Sequence, residues 1–266
     1  MTVDLEQLIR QKAPDKARYI PQCAFALLRR LFHQDYCNEF LRRDTKGVEF
    51  CFGVLDYIGV NINVEGFDNV PWDTEKPLVF VCNHPLGAID GLALLGTLAR
   101  QTQDHVKCIV RSELLEFDAI RQYCIPINKS GRQARDLPQQ VDKAFNGSDH
   151  VMLFPAGICS REINGVVRDI PWRKFFVNKC RQWQRDIVPV HFIGQNSPRF
   201  YAIDRWTKRL HIKANIAQLF LADEMVRTSG KTFTMRFGKP IPYTTFDNTR
   251  QPQQWAQWVQ QQVESL

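Results

Sequence analysis

The sequence predicts an α/β fold with a mostly parallel central sheet flanked by helices, preceded by an N-terminal helical segment. Short apolar runs of strand length alternate with longer helical stretches, which is typical of a parallel sheet whose strands are connected by helices. The runs are residues 61–64, 78–82, 106–110, 151–154, 187–192 and 232–237. Before residue 61, the apolar residues recur at helical spacing instead.

The helical stretches divide the chain into two predicted parts. Pro21 opens an amphipathic run over residues 22–41, and a more apolar run covers residues 48–58. The later helical stretches are residues 91–100, 132–145, 172–184, 200–220 and 252–263. We therefore predict an N-terminal helical segment over residues 1–60, placed to contact a membrane, and an α/β core over residues 61–266 that ends in a helix.

The bulk composition limits the class of protein. The chain has 266 residues, of which 44% are apolar and 24% charged, enough to bury a core. Its net charge of +7 favours anionic partners, but no dense Lys/Arg run with interleaved aromatics is present, so nucleic acid is disfavoured. Eight cysteines without metal-ligand spacing predict buried free thiols in a reducing cytoplasm and no metal site.

The relation to a membrane is left open by the sequence. The N-terminus lacks the pattern of a secretory signal, and no apolar window approaches the roughly 18–20 residues that span a bilayer. We therefore expect a soluble or peripheral protein. The arginine-flanked helix at residues 22–41 either lies in the membrane interface or packs on the core with Arg29 and Arg30 in solvent.

The segment with the clearest chemistry is residues 79–91, where a buried strand leads into a polar elbow. His84 stands at the strand end, where open α/β sheets place their active sites, and imidazole is a general base near neutral pH. Asp90 is placed to accept a hydrogen bond from Nδ1 and stabilise the imidazolium, if Pro85 and Gly87 provide a tight turn. The alternative is structural: Asp90 only caps the following helix.

Three further segments follow in order along the chain. They are residues 124–132 (CIPINKSGR), 152–161 (MLFPAGICSR) and 187–191 (IVPVH). Together with the elbow, they resemble the four ordered blocks of the glycerolipid acyltransferase family, which includes the lysophosphatidic acid acyltransferases. The matching stretch covers about residues 60–195. The resemblance implies a glycerolipid acyltransferase-like fold, with His84 as general base and Asp90 as its orienting partner.

The resemblance also implies a set of substrate-binding residues. Lys129 falls where the second block usually has an arginine that holds the anionic group of the acceptor. Gly157, Ser160 and Arg161 would belong to the acceptor pocket of the third block. Arg111 resembles a basic position that follows another core strand in this family.

Two departures from the family pattern indicate which subgroup of the family the chain resembles. The usual first block has four residues between His and Asp, whereas this chain has five, residues 85–89. The usual third block reads Phe-Pro-Glu-Gly, whereas Ala156 replaces the glutamate here. Both departures resemble a bacterial hemolysin-type or aminolipid-type subgroup, whose members are associated with ornithine or glycine lipids and acylate the hydroxyl of an N-(3-hydroxyacyl) amino acid.

The sequence thus predicts an O-acyltransferase that moves a fatty acyl group from a thioester to a lyso-lipid hydroxyl. We expect it to be a peripheral protein at the cytoplasmic face of the membrane. Acyl-acyl carrier protein or acyl-CoA would be the co-substrate, with no further cofactor. The predicted partners also include the lyso-lipid acceptor and an anionic membrane surface. Two alternatives stay open, namely a 1-acyl-glycerol-3-phosphate acyltransferase of phospholipid synthesis and a non-catalytic lipid-binding protein.

Overall fold

The structure, a computed structural model, describes residues 4–12, 15, 18–74, 76–111, 114, 115, 117–127, 137–210 and 216–266. Within these ranges a seven-stranded sheet and a two-stranded hairpin are formed. The strands are β1 Asn61–Glu65, β2 Val79–Cys82, β3 Val106–Arg111, β4 Cys124–Ile127, β5 His150–Leu153, β6 Arg161–Ile163, β7 Val166–Arg168, β8 Ile187–Ile193 and β9 Thr232–Phe237.

The large sheet confirms the predicted fold class. Its strand order is β1-β9-β8-β2-β5-β3-β4, and the five strands from β8 to β4 are parallel. At the other edge, β9 runs antiparallel to β8, and β1 runs parallel to β9. The apolar pattern did not predict β4, whose central Pro126 argues against a strand, but proline is tolerated at the sheet edge that β4 occupies.

Helices cover both faces of the sheet. They are α1 Leu5–Lys12, α2 Gln22–Leu31, α3 Gln34–Leu41, α4 Gly47–Ile58, α5 Ala88–Gln101, α6 Leu137–Asn146, α7 Phe175–Trp183, α8 Pro198–Arg209, α9 Ile216–Leu219, α10 Leu221–Val226 and α11 Pro252–Glu264. Single 3-10 turns occupy Phe67–Asn69, Arg121–Tyr123 and Tyr243–Thr245. Parts of two predicted helices, residues 132–136 and 211–215, lie outside the described residues.

Two predicted helices, over residues 22–41 and 200–220, are wrong in their extent, and the second of them ends at Arg209. The run over residues 22–41 forms two helices, α2 and α3, because His33 adopts a left-handed conformation with φ of 51°. A left-handed residue other than glycine needs support from its surroundings. Here the His33 side chain provides it, since Nε2 lies 2.8 Å from Oδ1 of Asp223 on α10. The break therefore joins the N-terminal helices to the far part of the chain.

The alternation along β2 divides the core into two layers. Phe80 and Cys82 face the layer formed with α4 and α5, whereas Val79 and Val81 face the layer formed with α7 and α11. All four side chains are fully buried. A strand buried on both faces reads as a continuous apolar run, which is why this strand was clear from the sequence.

The last N-terminal helix is part of the core. A Cβ added at Gly96 of α5 would lie 2.9 Å from Cβ of Cys51 on α4, so the two helices approach at van der Waals distance. The membrane contact predicted for residues 1–60 stays a prediction. Within the described part of the chain, no helix combines the length and apolar character needed to cross a bilayer.

Candidate active site

The elbow after β2 lies at the carboxyl edge of the parallel strands and begins with an anchoring side chain. The Nδ2 group of Asn83 donates to the carbonyl of Phe192 at 2.9 Å, and its Oδ1 accepts from the Phe192 amide at 2.7 Å. The Asn83 side chain thus mimics a backbone peptide and extends the pairing of β2 with β8 by one residue. The backbone is consequently fixed directly before His84.

The next two residues are held by three other segments. The His84 amide donates to both carboxylate oxygens of Asp169 at 3.3 Å, and its carbonyl accepts from the Ser160 amide at 2.7 Å. The Pro85 carbonyl accepts from Nδ2 of Asn196 at 3.0 Å. Buried backbone groups need such partners. The partners come from three segments, the loop after β5, the segment after β7 and the segment after β8. These hydrogen bonds fix the backbone of the elbow relative to the three segments.

Asp90 caps the following helix and also lies at contact distance from His84. Its Oδ2 accepts from the amides of Leu86 at 2.8 Å and Gly87 at 3.2 Å, and Oδ1 accepts from the Gly91 amide at 2.7 Å. These bonds cap α5 and close the elbow. The same Oδ1 lies 3.0 Å from Nδ1 of His84, and the Asp90 side chain is fully buried. The extra residue in the elbow therefore leaves the His–Asp pair at contact distance.

The surroundings of the His84 ring favour its protonated form. The ring stacks on Phe154 with centroids 4.2 Å apart, and the Cys159 thiol is a further hydrogen-bonding neighbour. Burial by itself disfavours the imidazolium, but the Asp90 carboxylate and Cys159 together outweigh that effect and hold the pKa of His84 well above its ordinary value. The ring N–H is not well aligned with Oδ1, and such hydrogen bonds often tighten only with substrate bound.

The pair has the geometry needed for general base catalysis. With Nδ1 directed to Asp90, Nε2 is the ring atom left to remove a proton, and 19% of the side chain is exposed. A carboxylate at Nδ1 fixes the tautomer and stabilises the imidazolium that forms. The site thus contains a partly buried imidazole beside a buried carboxylate, at the edge of the sheet where acceptors are expected to bind.

The other predicted site residues lie at the same edge or outside the described residues. Arg111 is the exposed last residue of β3, whose carboxyl end points the same way as that of β2. Gly157 is exposed in the turn after β5 and has φ of 70°. Its amide donates to the Phe154 carbonyl at 2.9 Å. Lys129 lies outside the described residues. Substrate binding by these three residues stays a prediction.

Ser160 and Arg161 are both buried and engaged in contacts within the protein. The Ser160 hydroxyl donates to Asp169 at 2.5 Å. The Arg161 guanidinium lies 3.0 Å from Oδ1 of Asp204 on α8 and packs over the Phe200 ring. In this conformation both side chains support the loop that carries them, and their predicted contact with the acceptor stays a prediction.

Ala156, which stands in the place of the glutamate of the third block, is buried. Its side chain is 1% exposed and packs in the core layer that contains Val79 and Val81 of β2. A glutamate at this position would have to bury its carboxylate or displace the loop, and burying an unpaired charge is costly. The position is therefore part of the packing in this chain, rather than a surface facing an anionic acceptor.

Outside this site, the described residues bear on metal binding and include a cavity. They contain no group of three His, Cys, Asp or Glu side chains able to hold a metal ion. A cavity of about 370 Å³ is lined by residues such as Phe40, Lys46 and Asp118. It lies near Gly47, beside the amino ends of the strands, away from His84.

Four residues that shape the site were not predicted from the sequence: Asn83, Phe154, Asp169 and Trp172. Asn83 and Phe154 lie inside segments that were singled out, so their position at strand ends was the available signal. Asp169 lies 85 residues from its partner His84 along the chain, and no spacing rule connects them. Its one visible signal was an acidic residue between apolar stretches, a pattern that is also common at protein surfaces.

Known proteins similar to this chain are acyltransferases. A family model for acyltransferases matches residues 7–265. The lyso-glycine lipid O-acyltransferase of Bacteroides thetaiotaomicron is 44% identical over 266 residues, with 99% of this chain and 97% of that protein covered. The lyso-glycine lipid O-acyltransferase of Phocaeicola vulgatus is 41% identical over 266 residues, with 99% and 95% covered.

A solved structure shares the fold. The crystal structure of the 1-acyl-sn-glycerophosphate (LPA) acyltransferase PlsC from Thermotoga maritima matches with a TM-score of 0.51 and 16% identity, over 97% of this chain and 86% of that chain. At that identity the likeness concerns the fold alone. The family model, in contrast, spans almost the whole sequence. The predicted enzyme class is thereby confirmed, and this chain belongs to the acyltransferase family.

Proposed function

We propose that this protein is an O-acyltransferase that esterifies the hydroxyl of a lyso-glycine lipid, an N-(3-hydroxyacyl) amino acid. The observation that carries the proposal is the His84–Asp90 pair, 3.0 Å apart at the carboxyl edge of the sheet, in a chain that resembles two lyso-glycine lipid O-acyltransferases over nearly its full length. The buried Ala156 supports an acceptor other than glycerol phosphate.

The proposed reaction is a direct transfer from a thioester to a hydroxyl. Nε2 of His84 takes the proton as the acceptor oxygen attacks the thioester carbonyl, and Asp90 stabilises the imidazolium. When the tetrahedral intermediate collapses, the C–S bond breaks and the imidazolium returns its proton to the leaving thiolate. The products are an ester and a free thiol, and no cofactor beyond the acyl donor is required.

The donor is proposed to be acyl-acyl carrier protein or acyl-CoA. Both are acidic, so that the net charge of +7 favours their approach. Arg111 and Lys129 are the candidates for holding an anionic group of donor or acceptor, since both are cations in segments that resemble the binding blocks of the family. Arg111 lies at the edge of the sheet that also carries His84.

The acceptor class is tested with the purified protein. Given an acyl-CoA or acyl-acyl carrier protein and N-(3-hydroxyacyl)glycine, we expect a doubly acylated glycine lipid, detected by mass spectrometry. The matched N-acylglycine without the 3-hydroxyl should give no product, because it offers no oxygen for esterification. Lysophosphatidic acid is the third acceptor, and preferential formation of phosphatidic acid would replace this proposal with the phospholipid alternative.

We further propose that the protein works peripherally at the cytoplasmic face of an anionic membrane. The support is an exposed face at the carboxyl end of α8, where Trp206 and the C-cap residue Leu210, four residues apart, are 61% and 64% exposed. Arg205, Lys208 and Arg209 lie among them. Apolar side chains with flanking cations are typical of helices that lie in a membrane interface. A cytoplasmic location suits the eight free cysteines and the thioester donors.

The position of this face suits a lipid acceptor. The segment leading into α8 contains Asn196, which holds the Pro85 carbonyl of the elbow. On the neighbouring α10, Leu221 approaches Gly87, since a Cβ added there would lie 3.1 Å from Cδ1 of Leu221. The helix that carries the exposed face is thus anchored at its amino end beside the His84 elbow, and we propose that a bilayer bound at this face presents lipid hydroxyls to the site.

Membrane docking is tested with vesicles that contain phosphatidylglycerol. We expect the double variant Trp206→Ser, Leu210→Ser to bind at least about 100-fold more weakly than the wild type in sedimentation, since each buried apolar side chain contributes about 1.5–3 kcal/mol. Val166→Ser removes an exposed apolar side chain from β7 and serves as the control. Unchanged binding of the double variant, with a loss in Leu27→Ser on α2, would instead assign docking to the N-terminal helices.

A further inference from the structure

We propose that Asp169 is a positioning residue for the acyl transfer, acting through the backbone of His84 rather than by contact with substrate. Both of its carboxylate oxygens accept from the His84 amide at 3.3 Å. Asp90 holds the His84 ring from one side, and Asp169 holds the peptide from which that ring projects. The inference rests on the proposed role of His84 as general base.

The carboxylate of Asp169 is itself held in place by neighbouring donors. The Ser160 hydroxyl donates to Oδ1 at 2.5 Å, and Nε1 of Trp172 donates to Oδ2 at 2.9 Å. Trp172 is fully buried, and its amide donates to Oε1 of Gln260 on α11 at 3.0 Å. The carboxylate is therefore fixed relative to the sheet and to α11, which makes it a rigid support for the elbow.

Ser160 connects the same network to the other polar group of the His84 peptide. Its amide donates to the His84 carbonyl at 2.7 Å, while its hydroxyl donates to Asp169. The amide and the carbonyl of His84 are thus both bound by one cluster. A displacement of about 1 Å in a catalytic group can lower a rate by about 10²-fold, so that a clamp on this peptide has a direct catalytic consequence.

Asp169 also acts on the charge of the imidazole. Burial raises the pKa of Asp169, and its hydrogen bonds together with the positive charge of His84 oppose that rise. The same attraction favours the imidazolium that forms when His84 removes the proton. Removal of the carboxylate charge should therefore make His84 a weaker base, in addition to loosening its backbone.

The test compares Asp169→Asn with the wild type in steady-state kinetics and thermal unfolding. We expect kcat to fall by about 10- to 100-fold, with KM for the acceptor within about twofold, as is usual when the support of a catalytic group is lost. The acid limb of the pH profile of kcat/KM should move to lower pH, because the negative charge that favours the imidazolium is gone. A purely structural role would move neither this limb nor the balance between kcat and KM.

Further variants distinguish a loss of positioning from a loss of folding. Ser160→Ala and Trp172→Phe each remove one donor to Asp169 and should lower kcat to a smaller extent. Asp186→Asn is the matched control. The Asp186 carboxylate accepts a hydrogen bond from the Tyr243 amide at 2.9 Å, and it lies at the amino ends of the parallel strands, opposite the end that carries His84.

The outcomes separate this inference from the proposed function. A folded Asp169→Asn enzyme with wild-type kcat and pH profile overturns the inference, as does an equal loss of kcat in Asp186→Asn. A raised KM with unchanged kcat overturns it too, because it would assign Asp169 to substrate binding. If His84→Ala keeps full activity, the proposed role of His84 fails first. If His84→Ala is inactive and Asp169→Asn is active, only the inference fails.

Discussion

Replacing His84 with alanine is expected to lower kcat/KM for acyl transfer by about 10²- to 10⁴-fold, the usual contribution of a general base. The variant removes the atom that takes the proton from the acceptor hydroxyl, while the elbow keeps its backbone contacts with Asp169 and Ser160. The loss should therefore appear in kcat, with unfolding temperature little changed. Thiol release from the acyl donor gives the rate, and labelled product in lipid extracts confirms it.

The chain offers a matched control for this variant. His105 and Asp149 form a second histidine–aspartate pair, with Nδ1 and Oδ1 3.1 Å apart, at the amino ends of β3 and β5. His105→Ala should leave the rate unchanged, because that pair is exposed at the opposite edge of the sheet. Comparable losses in the two variants would show that His84 has no special role.

Cys159 provides a companion test of the mechanism. Its buried thiol lies beside the His84 ring, and a Cys–His–Asp arrangement is also able to form a covalent acyl-enzyme. Direct transfer requires that Cys159→Ala keeps activity within a few fold of the wild type. A large loss in that variant, together with labelled acyl groups on the wild-type protein, would establish a covalent route that still uses His84.

The second large effect is expected from Asp90→Asn, with kcat lower by up to about 10⁴-fold, as found when the carboxylate behind a catalytic histidine is neutralised. Asparagine preserves an oxygen that can accept from Leu86 and Gly87, but it offers no negative charge to the imidazolium. Because Asp90 raises the pKa of His84 against the effect of burial, its removal should lower that pKa.

The pH dependence of kcat/KM tests the direction of this change in the pKa of His84. The acid limb of kcat/KM reports loss of the proton from His84 in the free enzyme, and it should move to lower pH in Asp90→Asn. The residual rate would then be flat over neutral pH. Asp149→Asn is the control, since it neutralises the aspartate of the other pair. An unchanged acid limb in Asp90→Asn would contradict the pairing of Asp90 with His84.

The central part of the fold was predictable because its signals are local. β2, β5 and β8 are buried on both faces, so that each appears in the sequence as an apolar run of strand length. The His84 elbow was predictable for the same reason, since Pro85, Gly87 and Asp90 all lie within one turn of the chain. The resemblance to known blocks supplied the enzyme class that local patterns do not contain.

The remaining features depend on contacts between distant segments. The helix break at His33 depends on Asp223, which lies 190 residues away along the chain. No local sequence pattern around His33 predicts it. The burial of Ala156 follows from packing on the layer beneath β2, whereas the family pattern placed a charged group there. The support of His84 by Asp169 joins segments 85 residues apart. Such relations arise only once the sheet has assembled.

The conformation of Gly87 limits what this elbow can tolerate. Gly87 has φ of 89°, and a Cβ added there would lie 3.1 Å from both Sγ of Cys159 and Cδ1 of Leu221. The elbow thus favours a residue that lacks Cβ, with the loop after β5 and the helix α10 packed closely against it. Its shape is a joint property of three segments, so that any side chain introduced at Gly87 would require both neighbours to move.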